Sequence, residues 1–155
     1  MNNNIKEPIG KYISQIYRKG RAFISKGLTQ YDMGYGQMLF LLQLYRQDGI
    51  SQEELTEKLS IDKGTTARSI KKLEKEGFII RLKDEHDKRA YKIYLTDKSK
   101  EKKDDICNVL QEWESILTEN ITEEERDTLI NILKKICLNK NKKNRRTKWV
   151  IINKF

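Results

Sequence analysis

Cationic and hydroxyl side chains recur on one face of the segment 63–75. If this segment is a helix with Ile70 at the centre of its buried face, a turn of about 100° per residue directs Thr65, Arg68 and Lys72 outward. Arginine and threonine can donate hydrogen bonds to base edges, whereas lysine ammonium groups neutralise phosphates. The face therefore suits the major groove of double-stranded DNA. The residues predicted to bind DNA from this segment are Thr65, Thr66, Arg68, Ser69, Lys71, Lys72 and Lys75.

The elements around this segment decide its interpretation, because a charged helix face by itself more often indicates only a solvated surface. Ser51-Gln52-Glu53-Glu54 is a capping box, which predicts a short helix just before the cationic one. Ile61-Asp62 breaks that helix, and Asp62 is a good N-cap for the next helix, which ends at Gly77. Two short helices joined by a tight turn, the second of them cationic, are typical of a helix-turn-helix unit.

A β-hairpin is predicted directly after this unit. Residues with alternating character occupy 78–83 and 91–95, on either side of a polar loop at 84–89. Asp87 lies two residues before Arg89 and can hold its guanidinium extended, which would suit a narrow minor groove. An ordinary charged loop is the alternative. The residues predicted to contact DNA from this loop are Asp87, Lys88 and Arg89.

Long amphipathic helices flank the helix-turn-helix unit on both sides. Residues 8–28 carry apolar side chains at helical spacing, and 38–45 repeat this pattern over a shorter length. Thr96 caps a further long helix, and a capping box at Thr122 opens a last one. The apolar stripe of the helix after Thr96 has the spacing of a coiled-coil seam, which predicts pairing. This stripe consists of Ile106, Leu110, Trp113 and Leu117.

These elements predict a mainly α fold with a small β-hairpin wing, that is, a winged helix-turn-helix with long N- and C-terminal dimerisation helices. We expect one domain over 1–138, with dimerisation helices at about 5–30 and 97–138 and a DNA-binding lobe at about 33–95. A basic tail over 139–155 ends in apolar residues. The tail is predicted either to be disordered and to attract DNA nonspecifically, or to pack through its apolar end.

Composition favours a protein with a partner subunit. The 155 residues are 37% hydrophobic and 35% charged, which provides a thin core for one chain alone. The net charge of +9 is weak evidence for nucleic-acid binding, because seven Lys or Arg and no acidic residue lie in the tail at 139–155. No apolar run approaches the roughly 20 residues of a membrane-spanning helix, and no signal peptide is visible. We therefore expect a cytoplasmic protein without membrane association.

Cofactor and metal chemistry are not expected. Cys107 and Cys137 lack the spacing of a zinc site or a disulfide framework, and a single histidine, His86, cannot complete a typical cluster. Both cysteines are expected to be buried and inert. Gly34-Tyr35-Gly36 is an incomplete phosphate-loop pattern, and no nucleophile with a base and an orienting group is visible, so an enzyme is not predicted.

Taken together, residues 5–138 resemble the MarR family of bacterial transcriptional regulators. The resemblance is carried by 51–59, by 62–78 and by the wing from Asp84 to Thr96. The family wing pattern is D-x-R-D-x-R. Here Asp84, Asp87 and Arg89 match it, but His86 replaces the first arginine.

The resemblance implies a homodimer that binds a pseudo-palindromic operator and represses transcription. It also implies relief of repression by a small phenolic or other apolar ligand, held between the dimerisation helices and the DNA-binding lobe. Candidate lining residues are Tyr12, Tyr31, Tyr35, Met38 and Trp113, for which simple burial in the core is the alternative. The alternative for the whole protein is an interaction module whose winged domain binds protein rather than DNA.

Overall fold

Seven α-helices, one 3₁₀ turn and three short strands make up the described part of the chain, residues 7–84 and 90–138 of this computed structural model. The predicted fold class, mainly α with a small β-hairpin, is confirmed. The elements in chain order are α1 (Ile9–Gly27), the 3₁₀ turn (Thr29–Tyr31), α2 (Tyr35–Arg46), β1 (Ile50–Ser51), α3 (Gln52–Leu59), α4 (Lys63–Lys75), β2 (Ile79–Lys83), β3 (Tyr91–Leu95), α5 (Asp97–Glu101), α6 (Lys103–Thr118) and α7 (Glu123–Leu138).

The helix starts and stops follow the local signals in the sequence. Ser51 accepts a hydrogen bond from the Glu54 N–H, and the Glu54 carboxylate accepts one from the Ser51 N–H, which completes the predicted capping box. The same reciprocal pair joins Thr122 and Glu125 at the start of α7. Gly77 follows α4 with a φ of 74°, a left-handed conformation that favours glycine.

The sheet is antiparallel with strand order β1-β3-β2. The predicted hairpin is present, with Ile79 opposite Leu95 and Lys83 opposite Tyr91. β1 was not predicted, because two residues are too short to show a period of two. It joins β3 by pairing Ile50 with Ile93, next to Gly49, whose N–H donates to the Ile93 carbonyl.

The core of the lobe lies where α2, α3 and α4 meet the sheet. One face of α4 contributes Ile70 and Leu73, which are buried together with Leu55 of α3 and Ile93 of β3. Phe78 fills the corner between α4 and the hairpin and is also fully buried. The orientation of α4 is therefore fixed by apolar contacts along its inner face.

The predicted long helix after Thr96 is interrupted at Lys102, which separates α5 from α6. Lys102 adopts φ −89° and ψ 2°, outside the helical region, although its N–H still donates to the Lys98 carbonyl. The apolar stripe of α6 was predicted to pair with a second subunit, but much of it packs inside the same chain. Ile106 is fully buried, and Trp113 packs against Phe23 of α1 in the same chain, with ring centroids 5.7 Å apart.

α1 and α6 approach closely because glycines lie at their contact. A Cβ at Gly20 would lie 2.8 Å from the Trp113 ring, and a Cβ at Gly27 would lie 2.7 Å from Val109 Cγ1. Both distances are shorter than side-chain packing allows. The missing Cβ atoms therefore permit the observed spacing of the two helices.

Large apolar side chains on the outer helices remain uncovered within one chain. α7 has no buried residue at all within its described span. No helix in residues 7–84 or 90–138 combines the length and apolar character needed to cross a membrane. The uncovered side chains are Ile9, Tyr12, Ile13, Ile16 and Tyr17 of α1, Ile116 and Leu117 of α6, and Leu129, Ile132, Leu133, Ile136 and Leu138 of α7.

Replacement of Gly20 by alanine is expected to destabilise the protein. Inside an exposed helix the change would be favourable by about 0.5–1 kcal/mol, but here the new methyl group overlaps the Trp113 ring and should cost about 1–3 kcal/mol. Chemical unfolding at fixed protein concentration measures the effect. In a Trp113→Leu background the penalty of Gly20→Ala should shrink, so equal penalties in both backgrounds would contradict this packing.

Candidate nucleic-acid interface

The cationic face of α4 begins at a charged N-cap. Asp62 Oδ1 accepts a hydrogen bond of 2.9 Å from the Thr65 N–H, as the sequence predicted. Hydrogen bonds from the Thr65 N–H and hydroxyl, with the nearby Arg68 charge, hold the pKa of Asp62 below its ordinary value. The ionised carboxylate thus fixes the first turn of the helix, where Thr65 and Arg68 lie.

Arg68 is exposed and its guanidinium is held in place by its own helix. Nη2 donates a hydrogen bond of 2.9 Å to Thr65 Oγ1. Gly64 lies beside it: a Cβ there would be in ordinary contact with Arg68 Nη1 at 3.6 Å and in tight contact with Asp62 Oδ1 at 3.3 Å. An arginine carries further N–H donors in a planar fork, a geometry that can match the acceptors on a guanine edge.

Three lysines extend this positive surface toward the end of α4. A shallow groove of about 390 Å³ runs along the helix between them and Arg68, with Glu76 at its edge. We call this exposed set of cations and Thr65 the α4 face. It consists of Thr65, Arg68, Lys71, Lys72 and Lys75.

Two residues predicted to bind DNA do not belong to the α4 face. Thr66 is fully buried and its hydroxyl donates to the Asp62 carbonyl at 3.0 Å, and Ser69 is only 4% exposed. Both lie on the side of the helix that carries Ile70 and Leu73, so they have almost no surface left for a groove. The structure therefore does not support the predicted DNA contacts of Thr66 and Ser69, because both side chains lie on the core side of the helix.

The hairpin extends from the end of α4, and its loop lies outside the described residues. Asp87, Lys88 and Arg89 fall in that loop, so their contacts stay a prediction. At the base of the loop the Asp84 N–H donates to the Ala90 carbonyl. Lys92 Nζ lies 3.0 Å from Asp84 Oδ2, which raises the pKa of Lys92 and ties the two strands together below the loop.

Comparison with known proteins identifies this arrangement. The sequence model of the MarR family matches residues 35–91. YybA of Bacillus subtilis (strain 168), described as an uncharacterized HTH-type transcriptional regulator, is 33% identical over 79% of this chain and 79% of its own length. The chain belongs to the MarR family.

Solved structures agree with this assignment. A MarR transcriptional regulator from Methanosarcina mazei Go1 is 44% identical, with a TM-score of 0.77 over 83% of this chain and 92% of its own. A mutant MarR from E. coli, solved in complex with operator DNA, is 28% identical with a TM-score of 0.76 over 83% of this chain and 93% of its own. This MarR family member is therefore a winged-helix DNA-binding transcriptional regulator and not an enzyme.

The residues predicted to line a ligand pocket do not converge within one chain of this family member. Met38 is part of the core, and Trp113 packs on Phe23. The Tyr31 hydroxyl donates to Asp105 at 3.1 Å. Tyr12 is half exposed on the outer face of α1, among the uncovered apolar residues.

Tyr35, the fifth of these residues, borders a cleft of about 450 Å³ between α1, the start of α2 and α4. Burial raises the pKa of its hydroxyl, and the ring packs edge-on against Tyr17 with centroids 6.0 Å apart. The cleft reaches the α4 face directly, because Thr65, Arg68 and Lys72 form its other wall.

The two cysteines differ in their surroundings. Cys107 is partly buried and its burial raises the pKa of the thiol, which disfavours the reactive thiolate. Cys137 is exposed on α7, so the prediction that it is buried is wrong for a single chain. Within residues 7–84 and 90–138, no cluster of three or more His, Cys, Asp or Glu side chains is placed to hold a metal ion.

We expect the Asp62 cap to make stability depend on pH in the acid range. Because the folded-state pKa lies below the ordinary value of 3.8, the folded chain binds fewer protons than the unfolded chain in this range. The stabilisation is complete above pH 3.8 and is lost as the pH falls through the lower folded-state pKa. The difference in free energy of unfolding between wild type and Asp62→Asn, measured with urea from about pH 7 to about pH 3, should become smaller as the pH falls. A difference that does not change with pH would contradict the charged cap.

Proposed function

We propose that this protein acts as a homodimer that binds a pseudo-palindromic operator in double-stranded DNA and represses transcription. The observation that carries the proposal is the α4 face, a set of exposed cations on the second helix of a helix-turn-helix unit. The inner side of α4 is buried in the core, so these groups can meet the major groove without rearrangement of the lobe.

The groups of the α4 face divide by chemistry. Arg68 and Thr65 come from the first two turns of the helix, the part that enters deepest in this docking mode, and they suit base edges. Lys71, Lys72 and Lys75 carry single flexible charges along the rest of the helix and suit phosphates. Specificity would thus come from Arg68 and Thr65, and salt-dependent affinity from the lysines.

The uncovered apolar faces support the dimer. α1 and α7 expose apolar side chains along their lengths, and α7 buries nothing within its own chain. Exposed apolar surface on this scale is unfavourable in water unless another surface covers it. A twofold axis through α1 and α7 would cover both helices and would present two α4 faces, about 34 Å apart if they meet successive turns of the same groove.

The hairpin and the cleft complete the proposal. Asp87, Lys88 and Arg89 are proposed to meet the minor groove beside each half-site, where the potential is most negative. A small phenolic or apolar ligand is proposed to enter the cleft beside Tyr35. Since Arg68 and Lys72 line the same cleft, a ligand held there would compete with DNA for them.

Arg68→Ala is expected to weaken operator binding by about 1–3 kcal/mol and to relax base preference at one position of each half-site. Thr65→Val should have a smaller effect in the same direction, because it frees the guanidinium without removing it. Fluorescence anisotropy on an operator selected from random duplexes measures both.

Arg18→Ala is the matched control for these variants. Arg18 also donates to a hydroxyl one turn earlier, that of Ser14, but it lies on α1 outside the α4 face. Its loss should leave base preference unchanged. If Arg68→Ala and Arg18→Ala change operator affinity and base preference equally, α4 does not determine the base preference. A wild-type protein without any sequence preference would exclude the proposed function.

Leu133→Glu is expected to convert the dimer to single chains at low micromolar concentration and to weaken operator binding in parallel. Leu133 is exposed in the isolated chain, so the fold of each chain should survive the change. Asn131→Glu adds the same charge to α7 away from the apolar stripe and should leave the dimer intact. Analytical ultracentrifugation and circular dichroism test this, and an unchanged mass for Leu133→Glu would argue against an interface at α7.

A further inference from the structure

An ion pair joins α4 to the hairpin. Arg81 Nε of β2 lies 3.1 Å from both carboxylate oxygens of Glu74 in α4, and Arg81 Nη2 donates to Glu74 Oε2 as well. This fork geometry constrains direction as well as distance. The side chains are 40% and 34% exposed, so the pair lies at the surface and its value for overall stability is modest.

Glu74 is unexpected in its position. It lies between Lys72 and Lys75 on a helix whose outer face is cationic, and a carboxylate there opposes the approach of phosphates. Its side chain is engaged by Arg81, and the same hydrogen bonds lower the pKa of Glu74, so it stays ionised. The ion pair with Arg81 therefore explains why an acidic residue occupies position 74.

The position of Arg81 in the sheet is well defined. It pairs in register with Ile93, which is fully buried, so β2 cannot shift at this point without disturbing the core. Position 81 lies three residues before Asp84, where the loop begins. A small rotation of β2 at position 81 would thus grow toward the end of the strand at Lys83.

The covalent link between α4 and β2 is only a short turn. Gly77 turns the chain, and its carbonyl accepts a hydrogen bond of 2.7 Å from the Thr96 hydroxyl. Lys98 Nζ donates to the Glu76 carbonyl at 2.6 Å. These contacts hold the turn itself, whereas the Glu74–Arg81 pair crosses it and joins the last turn of α4 to the middle of β2.

We propose that Glu74 and Arg81 are positioning residues for operator recognition: their ion pair sets the angle between α4 and the hairpin so that both meet the duplex together. This inference rests on the proposed function, because it assumes that α4 and the hairpin contact the same operator. It assigns no DNA contact to either residue. The pair acts through the α4 face and the strands of the hairpin, whose relative angle it sets.

The direction of the change in DNA affinity distinguishes a positioning role from a purely electrostatic one. Glu74→Gln removes a negative charge from the DNA-binding helix, so electrostatics alone would strengthen binding to every duplex. A loss of alignment instead weakens binding to the operator, while binding to unrelated DNA stays equal or becomes tighter. The ratio of the two affinities is therefore the informative quantity.

The experiment measures the dissociation constants of full-length protein for a selected operator and for an unrelated duplex of the same length, over a range of salt. The expected result for Glu74→Gln and for Arg81→Gln is a fall of about tenfold in the specificity ratio. The double variant should fall no further than either single variant, because both remove the same contact. Exchange of the two residues, Glu74→Arg with Arg81→Glu, should restore part of the ratio.

Glu76→Gln is the matched control. It removes the same charge two residues further along, and no ion pair engages Glu76 within the described ranges. If Glu74→Gln behaves like Glu76→Gln, or if the two single effects add, the inference is overturned. If a glutamine variant unfolds, Arg81→Lys, which keeps the charge but not the fork, replaces it, and an unchanged ratio for a folded Arg81→Lys overturns the inference as well. Failure of the wild type to prefer any operator would instead refute the proposed function.

Discussion

Burial of one side of α4 is the constraint on which the rest of the molecule depends. Ile70 and Leu73 are sealed against α2, α3 and the sheet, and a helix has no freedom to turn once such a face is fixed. The direction of Arg68 and the lysines is a consequence of this burial. The α4 face thus needs no separate mechanism to expose it, because the buried side of the helix fixes which side chains point outward.

A single chain buries only part of its apolar surface. The lobe has a complete core, and glycines let α6 pack tightly on α1. The outer sides of α1 and α7 have no such cover, which is the structural counterpart of a sequence with nearly equal hydrophobic and charged fractions. The complete core behind the α4 face and the uncovered apolar surface of the outer helices therefore lie in different parts of the molecule.

The sequence predicted those features that depend on neighbours a few residues apart. The predicted caps at Ser51, Asp62 and Thr122 and the predicted glycine after α4 are confirmed, because each is a local hydrogen-bonding or backbone requirement. The features that it missed depend on distant partners. β1 exists because β3 is beside it, and Trp113 turns inward because α1 offers a gap at Gly20. The Glu74–Arg81 pair likewise joins two elements whose relative angle no periodicity encodes.

The exposed apolar side of α7 would make the activity of the regulator depend on its concentration. If α7 finds its apolar cover on a second copy of the chain, as proposed, the amount of competent regulator depends on mass action. Where most copies were single, the number of pairs would grow with the square of the protein concentration, and promoter occupancy would rise steeply over a narrow range of expression. The same feature that leaves one copy incomplete would thus give the regulated gene a threshold in place of a graded response.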